Sequence, residues 1–271
     1  MNKLFLAPTT LPDLPPVEYI YAAAKAGCDG VGLRLNRSPG LPFHPITGDL
    51  TLIRNIKSAL ADTNLQVLDI YSFYLRPETN INDFIPAIEL GAELGAKFAV
   101  VMGDDIDWSR MSENLCRICE EATRVGLICA LEFAVMRPLA SLAQTINLIS
   151  LSGCKDAVVC LDPLNLFRAG EQPHDLIGID PIFFPYAQIS DGIKGFDDNL
   201  AKLGHMAPNQ RCLLGKGEVP MSALLDALPS GLPLSIELPM PKDSQYLTDT
   251  WAELVVRNVR EFLVQYYDSK K

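Results

Sequence analysis

The chain has 271 residues, of which 48% are hydrophobic and 21% charged, the profile of an ordinary folded protein rather than a disordered one. Asp plus Glu number 33 against 23 Lys plus Arg, a formal net charge of −10. That balance argues against a nucleic-acid partner, whose phosphates call for a basic face, but not against a small anion held by one local arginine pair.

The predicted elements alternate from the start. LFLA (4–7) is a short apolar strand, followed after a Pro-rich turn by a helical stretch, PVEYIYAAAKAG, that stops at Gly27. VGLRL (31–35) is the second strand, and DLTLIRNIKSALADT a helix with Asp49 as its N-cap. LQVLDIYSF is the third strand, and NINDFIPAIELGAELGA a helix that accepts Pro86 only in its first turns. FAVVMG precedes the helix WSRMSENLCRICEEATRVG, and LICALEF (127–133) precedes SLAQTINLISLSG, closed by Gly153. AVVCLD (157–162) is the sixth strand, with a weak helix near 174–178, and YAQIS (186–190) is the seventh. An irregular stretch leads to the helix MSALLDALP; PLSIEL (233–238) is the eighth strand, and an amphipathic helix, SQYLTDTWAELVVRNVREFLVQYY, ends the series.

Eight strand–helix units in about 250 residues predict a single α/β domain over residues 1–271, a parallel eight-stranded (β/α)8 TIM barrel. The doubly wound alternative wants a glycine-rich turn after the first strand, and that turn reads APTTLPDLPP. No apolar stretch approaches the ~18 residues of a membrane span. MNKLFLAPTTLP is broken by Pro8 and Pro12 and does not resemble a targeting segment. With seven Cys, an odd number, the expectation is a cytoplasmic protein with reduced thiols. Cys116 and Cys119 form a CxxC without a second pair and are read as two helix residues.

In such a barrel, chemistry gathers at the C-terminal ends of the strands. The fifth strand ends in Glu132, the sixth in Asp162, the seventh carries Gln188 and Asp191, and the eighth ends in Glu237. Converging carboxylates in an apolar rim repel unless a positive charge sits between them. Glu132, Asp162, Gln188 and Glu237 therefore form a candidate all-oxygen metal site for one divalent cation. Such donors favour Mn²⁺ or Mg²⁺, with Co²⁺ or Zn²⁺ as further possibilities. The bland reading gives each acid a helix to cap or a cation to meet. None of the three His lies on these ends; His44, in LPFHP, is a candidate substrate contact or proton carrier, whereas His174 and His205 read as solvated loop residues.

ALEF, LDPLNLFRAG, YAQISDG, LLGKGEVP and SIELP, in this order, resemble the xylose-isomerase-like TIM barrel superfamily over nearly the whole chain, closest to its bacterial sugar phosphate isomerase/epimerase members. The resemblance implies a metal held by Glu, Asp, His and Glu. Glu132, Asp162 and Glu237 match, and Gln188 replaces the His, as in the dehydroshikimate dehydratase-like metal site. Where the family pattern LDxxHxxRxG has its His, this chain has Asn165, while Arg168 and Gly170 are kept. Arg211 matches an arginine that contacts substrate in ketose epimerases.

The resemblance further implies catalytic roles for Glu132 and Glu237 in proton abstraction beside a carbonyl. The implied activity is a divalent-metal-dependent sugar or sugar-phosphate isomerase or epimerase. The alternatives are a metal-dependent dehydratase of the 3-dehydroshikimate or inosose type and a non-catalytic, metal-bound polyol-binding barrel. Arg34, His44, Tyr71, Arg76, Asn165, Arg168 and Arg211 are the candidate substrate lining. The expected partners are a small sugar or polyol and a possible second copy of the chain, with no nucleic acid and no membrane.

Overall fold

Parallel pairing runs outward from β1 (Leu4–Leu6) in both directions. On one side follow β2 (Gly30–Arg34), β3 (Gln66–Leu75), β4 (Phe98–Gly103), β5 (Ile128–Glu132) and β6 (Val158–Val159). On the other side come β10 (Leu234–Ile236) and then β7 (Ala187–Ile189). The two ends meet: Leu161 bridges Ala187 in parallel, and the Gln188 amide donates to the Leu161 carbonyl at 2.8 Å. These contacts close the eight-stranded sheet into the expected barrel. The computed structural model describes residues 2–193, 211–241 and 245–271, and His205 lies outside them. A short antiparallel ribbon, β8 (Asp191–Gly192) with β9 (Arg211–Cys212), stands beyond the barrel.

The interior is filled by side chains. Phe98 of β4 stacks on Tyr186, just before β7, with ring centroids 4.7 Å apart. Those strands are not neighbours in the sheet, so the rings meet across the barrel. Phe5, Leu68, Tyr71, Val100, Ala130, Val158 and Cys160 complete this cluster, as a packed TIM-barrel core requires.

The helices follow local sequence signals. Before α1 (Pro16–Lys25) and α2 (Leu50–Thr63) stand Pro15 and Asp49, and the Asp49 carboxylate accepts from the Thr51 and Leu52 amides at 3.1 and 2.9 Å. Pro86 sits in the first turn of α3 (Ile85–Glu93), where no amide proton is missed. CxxC lies on α4 (Trp108–Arg124) with free thiols, and α5 (Leu142–Ser152) ends at Gly153, whose φ of +71° is the left-handed cap that glycine adopts at low cost. After α6 (Pro163–Arg168), the weak helix expected near 174–178 is a single 3₁₀ turn, Pro173–Leu176. The sixth strand pairs over only two residues, because Leu161 turns to bridge the seventh. After α7 (Met221–Ala227), α8 (Thr248–Asp268) buries Trp251, Val255, Val256, Val259 and Leu263 along one face and packs on α1, with Lys25 and Asp249 paired at 3.1 Å. No helix among the described residues is long and apolar enough to cross a membrane.

Candidate metal centre

Glu132 is the last residue of β5, Asp162 caps α6 just beyond β6, Gln188 lies within β7, and Glu237 follows β10. All four are buried. Glu132, Asp162 and Glu237 each offer an oxygen, and these atoms lie within 4.8 Å of one another. Two like charges at that separation repel by about 3–4 kcal/mol at an effective dielectric near 20. Burial, then the charges of Glu237 and Asp162, lift the Glu132 pKa well above the usual carboxylate range, against the pull of Arg211 and Arg137. Glu237 is also raised, by burial first; Arg211, Thr9 and Arg34 oppose the shift, and Asp162 adds to it.

Arg211 supplies part of the compensating charge. Its side chain is 7% exposed. Nη2 pairs with Asp162 Oδ2, Nη1 donates to Asp162 Oδ1 at 3.2 Å and to Ser190 Oγ at 2.7 Å, and Nη2 lies 3.3 Å from Glu237 Oε2. Asp162 thus does what the bland reading allowed, capping Leu164 N at 2.9 Å and meeting an arginine. Burial alone would lower the Arg211 pKa; Asp162 and Glu237 outweigh it and raise it. Three buried carboxylates thus share one contacting guanidinium.

Gln188 completes the set. Its Nε2 donates to the Tyr71 hydroxyl at 3.1 Å and to Glu132 Oε2 at 3.3 Å. Its Oε1 is buried without a hydrogen-bond partner, as is Glu237 Oε2, which meets Arg211 at ion-pair distance but without hydrogen-bond alignment. The other Glu237 oxygen, Oε1, accepts from Thr9 Oγ1 at 2.8 Å.

The site's frame is held by a residue read in sequence only as another polar strand end. Asp191 accepts from the amides of Gly192, Gly215, Gly217 and Val219 at 2.8–3.0 Å. The carboxylate thereby folds the LLGKGEVP loop over β8 and β9, the ribbon that carries Arg211. A Cβ at Gly217 would stand 2.3 Å from Asp191 Oδ1 and 2.5 Å from Gly192 N, so only glycine fits there.

The expected substrate lining divides. Arg168, on α6, feels both Arg211 and Asp162, and burial lowers its pKa. Asn165 is buried on the same short helix. Arg34, at the end of β2, and His44 line a cavity beside β1, and the Arg34 charge reaches Glu237. Tyr71 lies within the barrel as the partner of Gln188 rather than on its rim. Arg76 is paired with Asp104 at 3.1 Å and stacked on Tyr74, and His174 is solvent-exposed beside Asp175. Sequence reasoning missed Thr9 and Ser190; the one available signal was that Thr9 follows the first apolar run within two residues and Ser190 is the last residue of the seventh. Among the described residues, the only cluster of three or more His, Cys, Asp or Glu able to share an ion is Glu132, Asp162 and Glu237.

The family model described as Xylose isomerase-like TIM barrel matches residues 20–263. None of the curated proteins compared shows significant sequence similarity. Among solved structures, a xylose isomerase-like TIM barrel/4-hydroxyphenylpyruvate dioxygenase fusion protein is 19% identical with a TM-score of 0.77. That match covers 95% of this chain, which spans 42% of the fusion's length. IolI, solved with a bound zinc atom, is 17% identical with a TM-score of 0.73, covering 97% of each chain. D-allulose 3-epimerase from Methylomonas sp., in complex with D-allulose, is 15% identical with a TM-score of 0.71, covering 98% of this chain and 97% of that one. The probable 3-DHS dehydratase AsbF from Bacillus anthracis is 13% identical with a TM-score of 0.70, covering 95% and 98%. At such identities the structural likeness is one of fold.

Proposed function

Because the chain belongs to the xylose isomerase-like TIM barrel family, we propose that it is a divalent-metal-dependent isomerase or epimerase of a sugar or sugar phosphate. The observation that carries this reading is the buried carboxylate cluster at the strand ends, where three acids share one contacting guanidinium and oxygens of Gln188 and Glu237 lack a hydrogen-bond partner.

The residues fit a hard cation. Glu132, Asp162, Gln188 and Glu237 would hold it through oxygen alone, a donor set that favours Mn²⁺ or Mg²⁺ and still admits Co²⁺ or Zn²⁺. The zinc in IolI supports a divalent ion at a site of this fold. When bound, the ion supplies Lewis-acid polarisation of a substrate carbonyl.

The chain's own groups handle the proton. Glu132 and Glu237 each bring a carboxylate oxygen within 4.8 Å of the other in the cluster, which puts two groups able to act as bases beside one substrate carbon. One takes the proton from the carbon beside the carbonyl. Returned to the neighbouring carbon, with the hydroxyl proton passing between the two oxygens, the proton completes an isomerisation; a proton supplied by the other carboxylate to the opposite face of the same carbon completes an epimerisation. Arg211 holds Asp162 and Glu237 in place through its guanidinium, a fixed positive charge at the cluster available to a developing oxyanion. Arg34, His44, Asn165 and Arg168 form the substrate's surroundings.

Gln188, where the resemblance calls for a His, favours a second reading as a dehydratase, and the likeness to AsbF is consistent with it. The first step is then shared, and loss of a β-hydroxyl replaces the proton's return. The deciding experiment is solvent deuterium incorporation by the metal-loaded protein across ketoses, ketose phosphates, polyol ketones and dehydroshikimate. Exchange with retained hydroxyls supports the isomerase; exchange with release of water supports the dehydratase. Metal and ligand binding without exchange by any compound returns the protein to the non-catalytic reading.

A further inference from the structure

A second feature of the barrel mouth lies two strands from Glu237, in the sheet order β10–β1–β2. A cavity of about 30 Å³ is walled by Pro8, Leu11, Tyr19 and Leu33 and reached by Arg34 and His44. At ~10–15 Å³ per water-sized group, it has room for roughly two or three such groups. No Asp or Glu lines it.

Arg34 and His44 are only partly partnered. Arg34 spends Nη1 on the Pro42 carbonyl at 3.0 Å. Nε and Nη2 are buried and have no hydrogen-bond partner, and the same is true of His44 Nε2. Nε and Nη2 form the side-on edge of the guanidinium, which donates two parallel N–H bonds to a carboxylate or phosphate. Orphaned buried donors are rare in native structures and call for an explanation, commonly a missing polar partner. Burial also lowers the Arg34 pKa, and the more distant Glu237 charge only partly offsets it. The wall is fixed: the Tyr19 hydroxyl donates to the Leu6 carbonyl at 2.5 Å.

We propose that Arg34 and His44 form an oxyanion subsite that takes a carboxylate or phosphate at the far end of the substrate. The assignment to substrate rests on the isomerase or dehydratase reading; the anion binding does not. Two strand spacings, roughly 10 Å along the rim, separate β2 from β10. The ligand therefore carries its anionic group several bonds from the reacting carbonyl. A neutral ketose would leave the Arg34 edge unsatisfied.

The test uses the full chain, chelated free of metal, so that phosphate has no metal to bind. The protein has three His, so the His44 imidazole resonance is assigned by its absence in His44→Asn. Inorganic phosphate and acetate are titrated separately. The His44 resonance should shift saturably, and calorimetry should find the affinity weakened about tenfold or more in Arg34→Met, where both donors of the edge are lost. Arg34→Lys, which keeps the charge and loses the fork, serves if Arg34→Met fails to fold, and it should weaken binding in the same direction. A response to phosphate alone supports a phosphorylated substrate, to acetate alone a carboxylate, and to both the shared oxyanion chemistry. No shift of His44 with either anion at about 50 mM, or equal affinity in the Arg34 variants, overturns the subsite. Glu132→Gln, which disables the proposed proton chemistry, should leave anion binding unchanged. Exchange that persists in Glu132→Gln, with anion binding intact, would therefore count against the isomerase reading and not against the subsite.

Discussion

Gln188 donates its amide nitrogen to the Tyr71 hydroxyl at 3.1 Å, and this leaves its amide oxygen a buried acceptor with no partner. The orientation is forced by Glu132, whose Oε2 lies 3.3 Å from the same nitrogen; the flipped amide would set oxygen against carboxylate. Glu132 therefore decides which way a candidate ligand faces, and the Tyr71 hydroxyl anchors it there.

Tyr71→Phe removes that anchor without changing ring volume. Loss of an outer-shell partner of this kind typically costs ~10–100-fold in metal affinity. The expected outcome is Mn²⁺ binding weakened by about tenfold, with folding stability reduced by roughly 1 kcal/mol for one lost hydrogen bond. Calorimetric titration of the chelated protein measures the first and urea unfolding the second. Unchanged Mn²⁺ affinity would mean that Gln188 is not a ligand or needs no orienting.

Metal identity follows from the donor set. Gln188→His introduces an imidazole at the β7 position and should shift the preference toward Zn²⁺ or Co²⁺, whereas Glu237→Ala should abolish tight binding of any divalent ion. Elemental analysis of the variants, purified without chelator, checks both. Wild-type metal content in Glu237→Ala would remove Glu237 from the site.

Proton handling predicts a different pattern. Glu132→Gln or Glu237→Gln should lower turnover by ~10²–10⁴-fold, the usual loss for one acid–base group. Each amide keeps an oxygen donor, so metal should be retained, and solvent deuterium exchange should fall in parallel with turnover. Full exchange in either variant would reassign the proton to another group.

A buried carboxylate away from the cluster gives a pH dependence. Asp69 is fully enclosed on β3, with neither oxygen hydrogen-bonded, and burial pushes its pKa up to about 7 despite the Tyr186 and Tyr71 hydroxyls beside it. Unfolded, an aspartate ionises near ~3.9. Between these values the folded protein holds a proton that the unfolded chain releases. Asp69 thus favours folding fully at low pH, and that stability is lost as pH rises toward about 7, at up to about 1.4 kcal/mol per unit. Asp69→Asn should gain on the wild type steadily from pH 5 to pH 7 and then run parallel to it. Urea unfolding of the metal-free proteins at several pH values measures the gap; a gap independent of pH would refute the assignment.

The barrel was readable because its signals are local. Apolar runs at strand spacing, the Asp49 cap, the Gly153 stop and Pro86 in a first turn each depend on a few adjacent residues. The carboxylates were readable because strand ends converge in any closed parallel barrel, so Glu132, Asp162 and Glu237 needed only their place in the strand order. What depends on packing between distant segments was not readable. Asp191 looked like another strand-end acid, yet four backbone amides claim it. Tyr71 looked like substrate lining, yet it turns inward to Gln188, 117 residues away in sequence. Arg211 was matched to a substrate contact, and its position between Asp162 and Glu237 emerges only when the ribbon folds back over the mouth.

Arg211 yields the sharpest test of the charge argument. With it, three buried carboxylates share one contacting guanidinium; without it, they have none in contact. Removing one partner of a buried ion pair typically costs ~3–5 kcal/mol. Arg211→Met should therefore be strongly destabilised in the metal-free state, and Arg211→Lys less so, since lysine restores the charge without the bidentate fork to Asp162. A divalent cation should rescue the variants more than it stabilises the wild type, because it replaces the missing charge as well as its own. At a free concentration of ~100 Kd, binding adds about 2.7 kcal/mol, several degrees in Tm. Melting curves of the three proteins with chelator and with Mn²⁺ decide the matter. If Mn²⁺ raises the Tm of Arg211→Met by no more than that of wild type, the guanidinium and the metal do not share one field, and the metal lies elsewhere. A larger rise in the variant, with Arg211→Lys between the two, places both positive charges against the same carboxylates.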